Sequence, residues 1–216
     1  MGQDLIEKTT AVDKKPGKGA KRLATQQKII DAFERVLLRG GLAGVGINAI
    51  VAEAGVGKGL IYLYFGGLEG LADAWMERAD LKPSPEDIAG EALDDFQNKP
   101  ALQRLARIHV NYATMLKNRP AACQILAEDM RSGSTLPKLL NSVRSHLGES
   151  HEALVTQDAE FNNPQSMAKI FVLQAAANYF ALRANNSPQF NGIQLDTDEG
   201  WAQVMGMLEG VALGGE

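Results

Sequence analysis

The sequence contains little of what stabilises a small secreted protein or spans a membrane. Cys123 is the single cysteine among 216 residues, which excludes an internal disulfide framework. Three histidines beside one cysteine provide no structural zinc pattern, so no metal is expected. No apolar run approaches the roughly 18 residues that a membrane span needs, and the N-terminus lacks the apolar stretch of a signal peptide. We therefore expect a cytoplasmic protein without membrane contacts.

Sustained alternation of apolar and polar residues, the pattern of a half-buried strand, is also missing. Apolar residues instead recur every three or four positions from Thr25 onward, and clusters of glycine, proline or asparagine separate the periodic segments. The sequence therefore predicts an all-α protein. A first helix runs from Thr25 to Gly40 and Gly41, and the others are expected at 47–54, 58–65, 68–80, 86–97, 101–117, 120–131, 136–155, 165–185 and 197–212.

Basic residues are concentrated towards the N-terminus. Residues 1–65 hold ten Lys and Arg against six Asp and Glu, whereas the remainder holds 12 against 20. A basic end on an acidic body is typical of nucleic-acid binding, with ordinary scatter of charge as the alternative. We expect a flexible basic arm over 1–22, a helix-turn-helix domain over 23–67 and a larger helical domain over 68–216.

The segment from Ile47 to Phe65 has the layout of a helix-turn-helix. Its first helix points Ile50 and Ala54 inward, Gly55 provides a turn at positive φ, and Ile61 anchors the second helix. The residues that face away from this core are Lys58, Gly59, Tyr62 and Leu63. An exposed helix N-terminus beside a lysine suits phosphate contact and entry into a major groove. A helical hairpin with no nucleic-acid partner is the alternative.

An amphipathic helix ending in Gly-Gly, then AGVGKGLIYLYF and a helix opening with LEGL, resembles the DNA-binding domain of the TetR family of transcriptional regulators. The resemblance implies a homodimer, usually a repressor, that binds a palindromic site in double-stranded DNA and responds to a small molecule in its C-terminal helical domain. It also implies a set of DNA-contacting residues, which here would be Asn48, Ala49, Gly57, Lys58, Gly59, Tyr62, Leu63 and Tyr64.

The chain departs from the family pattern at four positions. Gly46 replaces the usual Thr or Ser cap, Gly57 the common Ser after Gly-Val, and Leu68 a usual Lys. Leu63 occupies a position that often carries a polar or basic residue. A leucine can contact a thymine methyl group but cannot form a bidentate pair with guanine. These changes concern the operator sequence more than the fold.

The helical body offers candidates for an effector site and for a dimer interface. Ligand sites in helical domains lie between helices, although ordinary core packing is the alternative for every candidate. The candidate ligand-binding residues are Trp75, Phe96, His109, Tyr112, Met115, Met130, Phe171 and Gln174. The last two helices, about 165–185 and 197–213, are apolar over much of their circumference. In the TetR family, which the sequence resembles, the last two helices form the dimer interface.

Motifs of enzymes are incomplete. The GVGINA stretch at 44–49 matches a dinucleotide fingerprint without the βαβ context that it needs. His151-Glu152 begins like a zinc-protease helix, but Val155 stands where the second histidine belongs. We therefore expect no catalytic residue, no metal and no cofactor. The alternative function is a helical small-molecule-binding protein or enzyme that does not bind DNA.

Overall fold

Helices form nearly all of the regular structure in the computed structural model, which describes residues 18–79, 81, 83–128, 136–156 and 158–214. The all-α prediction is confirmed. Within the described residues no helix combines the length and the apolar character that a membrane crossing requires. The helices are α1 (Lys18–Gly40), α2 (Ile47–Ala54), α3 (Lys58–Phe65), α4 (Leu68–Arg78), α5 (Pro85–Ala89), α6 (Leu93–Gln97), α7 (Ala101–Lys117), α8 (Pro120–Ala127), α9 (Pro137–Thr156), α10 (Pro164–Asn186) and α11 (Asp198–Leu213).

The first helix is longer than the sequence indicated. It begins at Lys18 rather than near Thr25, so residues 18–22, which were expected in a flexible arm, are helical. Ala20, Leu23 and Ala24 favour the helix, and a single interior glycine costs only about 1 kcal/mol. The rest of the expected arm, residues 1–17, lies outside the described residues.

The N-terminal helices share one apolar core. Phe33 of α1 and Trp75 of α4 are fully buried, and their ring centroids lie 5.5 Å apart. Ile50 of α2 and Ile61 of α3 are fully buried in the same core. The core therefore holds α2 and α3 against α1 and α4, and it leaves the opposite face of α3 in solvent.

Helix α7 forms the centre of the body and packs against α5, α10 and α11. Most of its buried positions recur every three or four residues: Leu105, Ile108, His109, Tyr112, Ala113 and Leu116. Arg104 and Ala106 are buried beside them. This spacing is the apolar stripe of an amphipathic helix, with two polar side chains inside it. The bounds predicted for α7 are confirmed.

The helix predicted over 86–97 is wrong, because two short helices, α5 and α6, occupy that segment. Gly90 ends α5 in the left-handed conformation, with φ 75°. A Cβ atom at Gly90 would lie 2.5 Å from Nδ2 of Asn111, and that Nδ2 donates to the carbonyl of Ile88 at 3.0 Å. The Asn111 side chain thus binds the C-terminal end of α5, and only glycine at position 90 leaves room for it.

A two-stranded antiparallel ribbon, β1 (Gln189–Phe190) and β2 (Ile193–Gln194), joins α10 to α11. The sequence predicted no strand in this segment, which separates two predicted helices. Asn191 and Gly192 adopt φ values of 48° and 85°, which is the conformation that a two-residue hairpin requires. The Asn-Gly pair is the local signal that predicts this hairpin.

Candidate nucleic-acid interface

The turn between α2 and α3 has the geometry that its sequence predicted. Gly55 ends α2 at φ 59° and ψ 42°, and its amide donates to the carbonyl of Val51 at 2.9 Å. Val56 packs in part against the core, and α3 begins at Lys58. The predicted bounds of both helices are confirmed, and so is the absence of a side-chain cap at Gly46.

Ion pairs hold α2 and α4 to the first helix. Glu53 of α2 accepts from Arg35 at 2.7 Å and from Arg39 at 2.9 Å. These two guanidinium groups, Arg35 first, lower the pKa of the Glu53 carboxyl below its usual value. Arg78 of α4 contacts Asp31 at 2.6 Å. Since each pair bridges two helices, the pairs help to fix the orientation of α2 and α4 relative to α1. The stability of these N-terminal helices comes mainly from their apolar core.

Helix α3 presents a solvent-facing surface whose residue types are unusual for an exposed helix. Leu63 is 70% exposed and Tyr62 is 49% exposed. Lys58 and Gly59 are also exposed, as are Asn48 of α2 and the cap residue Gly57. Of the predicted DNA contacts, only Ala49 and Tyr64 are half-buried. The structure thus places the predicted set on one side of the module, around α3 and the start of α2.

Gly59 has no role in packing. A Cβ atom at this position would meet nothing within 4 Å, although the residue lies inside the first turn of α3. Glycine in a helix interior is about 1 kcal/mol less favourable than alanine. The fold therefore does not require glycine at position 59, and the missing side chain leaves room for a close approach from outside.

A contact between α1 and α3 was not foreseen from the sequence. The guanidinium carbon of Arg22 lies 5.4 Å from the ring centroid of Tyr64, within the range of a cation–π interaction. Arg22 and its neighbour Lys21 are both exposed. The extended first helix therefore brings two positive charges to the vicinity of α3.

A cluster of polar side chains lies buried in the body, where α7, α9 and α10 carry one or more members each. Nε2 of His109 lies 3.4 Å from Nε2 of His151, and the ring centroids of His151 and Tyr112 are 5.4 Å apart. The Gln174 side chain acts on Tyr112 by lowering the pKa of its hydroxyl; its Nε2 donates to Oδ1 of Asn178 at 3.5 Å, while its buried Oε1 has no hydrogen-bond partner. The structure thus unites three predicted ligand-binding residues and adds a fourth member, His151.

Burial keeps the two imidazoles neutral. It lowers the pKa of His151 to about 3, with His109 contributing repulsion. Burial also lowers the pKa of His109, although the carbonyls of Leu105 and Ile170 oppose the shift. Nδ1 of His109 lies 2.8 Å from the Leu105 carbonyl oxygen, so Nδ1 carries the proton and Nε2 is left as an acceptor. Burial raises the pKa of Tyr112 to about 12.

The other predicted ligand-binding residues lie elsewhere. Trp75 belongs to the core between α1 and α4. Phe96 borders a separate cavity of about 300 Å³, whose Arg104 is held by Asp158 at 2.8 Å. Met115 is half-buried and borders a shallow groove. Phe171 is 66% exposed and points to solvent, and Met130 lies outside the described residues.

Sequence reasoning missed His151, although a signal for it existed. The buried positions of α9 include Val143, Leu147, Ser150 and His151, so this histidine falls on the apolar stripe of its helix. A polar residue on such a stripe needs a buried partner. The position of His151 on this stripe, and not its resemblance to a zinc-protease motif, is the signal that predicts a buried partner.

A broad apolar surface covers the outer sides of α10 and α11. Its large exposed members on α10 are Phe171, Val172 and Tyr179, and on α11 they are Met207, Val211 and Leu213. Each is between 41% and 66% exposed. An apolar surface of this kind on a globular protein marks an interaction site.

Comparisons with known proteins agree with this architecture. Residues 29–75 match the family described as bacterial regulatory proteins, tetR family, and none of the curated proteins matches significantly. A TetR-like transcriptional regulator from Rhodococcus sp. RHA1 superposes with a TM-score of 0.57 at 20% identity, over 92% of this chain and 96% of that one.

Two further structures share the fold and were solved with ligands. The regulator FadR from Bacillus subtilis in complex with stearoyl-CoA has a TM-score of 0.56 at 16% identity, over 88% of this chain and 98% of that one. AibR in complex with isovaleryl coenzyme A and operator DNA has a TM-score of 0.55 at 14% identity, over 87% and 97%.

The matched family consists of regulatory proteins, which agrees with the prediction that the chain is not an enzyme. Its matched segment runs from Ile29 in α1 to Trp75 in α4 and contains both helices of the helix-turn-helix. The chain thus carries a segment that matches the tetR family of bacterial regulatory proteins, and its overall fold is that of TetR-like regulators.

Proposed function

We propose that the protein is a homodimeric repressor that binds a palindromic operator and releases it when a small molecule occupies the helical body. The observation that carries the proposal is the exposed face of α3. Lys58, Gly59, Tyr62 and Leu63 lie together in solvent at the predicted recognition helix. The remaining arguments come from charge, from the apolar surface and from the buried polar cluster.

The N-terminal half of α3 suits contact with a phosphate backbone. Its cap residue, Gly57, provides no side-chain hydrogen bond to the first-turn amides. The amide of Leu60 donates to the Gly57 carbonyl at 3.0 Å, so the amides of Lys58 and Gly59 are the ones that an external acceptor can reach. The helix dipole adds a partial positive charge there. At Gly59 a backbone phosphate or a base can approach the helix more closely than any side chain would permit.

Charges on α1 extend this positive surface. Lys21 and Arg22 are exposed, and the position of Arg22 over Tyr64 ties them to α3. Contacts to phosphate supply much of the affinity of DNA-binding proteins and make that affinity dependent on salt. We therefore assign α1 a contribution to affinity and α3 the contact with base edges.

The apolar surface of α10 and α11 supports a two-fold dimer. Phe171 and Tyr179 are eight residues apart on α10 and therefore lie on similar sides of that helix. Met207 and Val211 are one helical turn apart on α11, which packs against α10. A self-complementary patch on two adjacent helices fits a second copy of the same chain, and a dimer presents two recognition helices to two half-sites.

The buried cluster of His109, His151, Tyr112 and Gln174 is the effector site that we propose. A buried acceptor without a partner, as at Oε1 of Gln174, is unfavourable unless something donates to it. An effector with a hydrogen-bond donor would satisfy that atom. If such an effector favours a spacing of the two recognition helices that mismatches the groove, DNA and effector weaken the binding of each other equally.

The proposal is tested by selecting bound sequences from a random DNA duplex pool at near-physiological salt. We expect the parent protein to enrich a palindromic site, and we expect Lys58→Ala and Tyr62→Ala to bind that site more weakly. Leu102→Ala, which alters an exposed leucine on α7, is the matched control and should bind like the parent.

Failure of the parent to enrich any duplex would favour the alternative of a helical small-molecule-binding protein that does not bind DNA. If the parent does enrich a site, thermal-shift screening tests effector binding separately from DNA binding. A compound that raises the melting temperature of the parent should release the operator, and His109→Phe should abolish both effects.

A further inference from the structure

The chemistry of the α3 surface indicates how bases are recognised. Over Lys58–Phe65 no side chain carries a guanidinium, amide or carboxylate group. Yet Leu63, at 70%, has the largest exposed fraction among the large apolar residues of the described chain. Resting on the proposed DNA binding, we infer that Leu63 reads each half-site through the 5-methyl group of a thymine.

Major-groove chemistry leads to this assignment. Guanine is read by Arg or Lys, adenine by Asn or Gln, and cytosine by Asp or Glu, whereas thymine alone presents an apolar group in the groove. On α3, Lys58 and the Tyr62 hydroxyl are the exposed side-chain groups able to hydrogen-bond, and Lys58 lies in the first turn of the helix. Leu63 is therefore the exposed residue of α3 that can contact the thymine methyl group.

The shape of the α3 surface also favours Leu63. Gly59 and Leu63 are four positions apart and lie on the same side of α3. Gly59 contributes no side chain, and the space around it is open. Leucine is thus the projecting group next to a depression, so the helix can approach the groove until Leu63 meets the base edges.

Replacing thymine by uracil in the selected operator tests the assignment, because uracil lacks only the methyl group and keeps every hydrogen bond. Each thymine is replaced in turn, symmetrically in both half-sites, and dissociation constants are measured by fluorescence anisotropy. At one position we expect the parent to bind about fourfold more weakly per half-site, the effect of one methyl-sized apolar group. For both half-sites the loss is roughly fifteenfold.

The double-mutant comparison assigns the methyl contact to its residue. In Leu63→Ala, uracil at that position should cause no further loss, whereas Leu102→Ala should show the full loss. A cytosine–guanine pair at that position should bind the parent weakly. Methylation of that cytosine at C5 should recover about fourfold per half-site, and the recovery should be absent in Leu63→Ala.

Three results overturn the inference. Uracil at every position could leave the affinity of the parent unchanged, or its penalty could persist undiminished in Leu63→Ala. In both cases the parent still binds DNA, so the proposed function stands and only the assignment of Leu63 fails. If the parent selects no duplex at all, the proposed function and this inference fail together.

Discussion

The helix-turn-helix module, formed by α1 to α4, and the helical body distribute their residues in opposite ways. Within the described residues, every buried polar or charged side chain lies beyond position 100: Arg104, His109, Glu128, Ser150 and His151. The module keeps its charges on the surface, where Arg35, Arg39 and Arg78 join neighbouring helices. Its exposed apolar residues on α3 are few and stand beside glycine and lysine, whereas those of the body form a broad patch on α10 and α11.

This contrast distinguishes three kinds of partner. A small apolar projection beside positive charge suits a polar, negatively charged surface with isolated methyl groups. A broad apolar patch suits another apolar patch, and buried polar groups suit a ligand that carries hydrogen-bonding atoms. The following predictions test each side of the contrast, beginning with the largest expected effect.

Charging the apolar patch should break the dimer. In Phe171→Glu combined with Val211→Glu, each protomer would bury two carboxylates in the proposed interface, and we expect dimerisation to weaken at least about a thousandfold. Sedimentation equilibrium measures the change. Leu38→Glu alters a leucine of α1 that is 40% exposed and should leave the dimer intact. A monomeric parent, or a double variant that stays dimeric, contradicts the assignment of this patch.

Acid should destabilise the body through its buried histidines. Their pKa values are lowered in the folded protein, so unfolding takes up protons and the stabilising contribution is present above the ordinary value of 6.5. For His151 that contribution is lost progressively as the pH falls from 6.5 towards about 3. A single such proton changes the free energy of unfolding by about 1.4 kcal/mol per pH unit, or about 3 kcal/mol over two units.

Denaturant unfolding between pH 7 and 5 measures this slope. His151→Leu should flatten it, whatever the absolute stability of the variant. His146→Gln removes a half-buried histidine of the same helix, and comparing the two slopes separates the buried pair from histidines in general. An identical slope in His151→Leu and the parent would show that His151 does not titrate in this way.

Removing the lysine at the start of α3 should weaken DNA binding without altering the dimer. For Lys58→Ala we expect about a tenfold loss of operator affinity. The slope of log affinity against log salt should fall by about two, one phosphate contact for each subunit. Lys138→Ala removes an exposed cation from α9 and is the control. Equal salt slopes for Lys58→Ala and the parent would place the phosphate contact elsewhere.

Gly59→Ala should change stability and DNA affinity in opposite directions. We expect the free energy of unfolding to rise by at most about 1 kcal/mol, the value for a helix interior, because alanine favours the helix and a methyl group meets no atom of the protein there. Operator affinity should nevertheless fall, since that methyl group occupies the approach to DNA. Gly148→Ala in α9, where space is equally open, should raise stability alone. Unchanged affinity in Gly59→Ala would falsify the close approach.

Local sequence predicted the helix-turn-helix better than the body. The bounds of α2 and α3 follow from Gly55 and Gly66, both at positive φ, which are signals within the segment itself. The break at Gly90 depends on Asn111 of another helix, and the meeting of His109 with His151 depends on the packing of α7 against α9. Phe171 was placed in a pocket and lies on the surface, because a helix that is apolar on several sides does not reveal which side faces inward.

Because α1 is unbroken, its register becomes part of the DNA recognition that we propose. Each residue of an α-helix turns the chain by about 100° and advances it by about 1.5 Å. A single residue inserted between Arg22 and the first buried position, Ile29, would swing Arg22 about a quarter of a turn away from the Tyr64 ring. The position of Arg22 over Tyr64 therefore depends on the number of residues between Arg22 and Ile29 as well as on the identity of the residues.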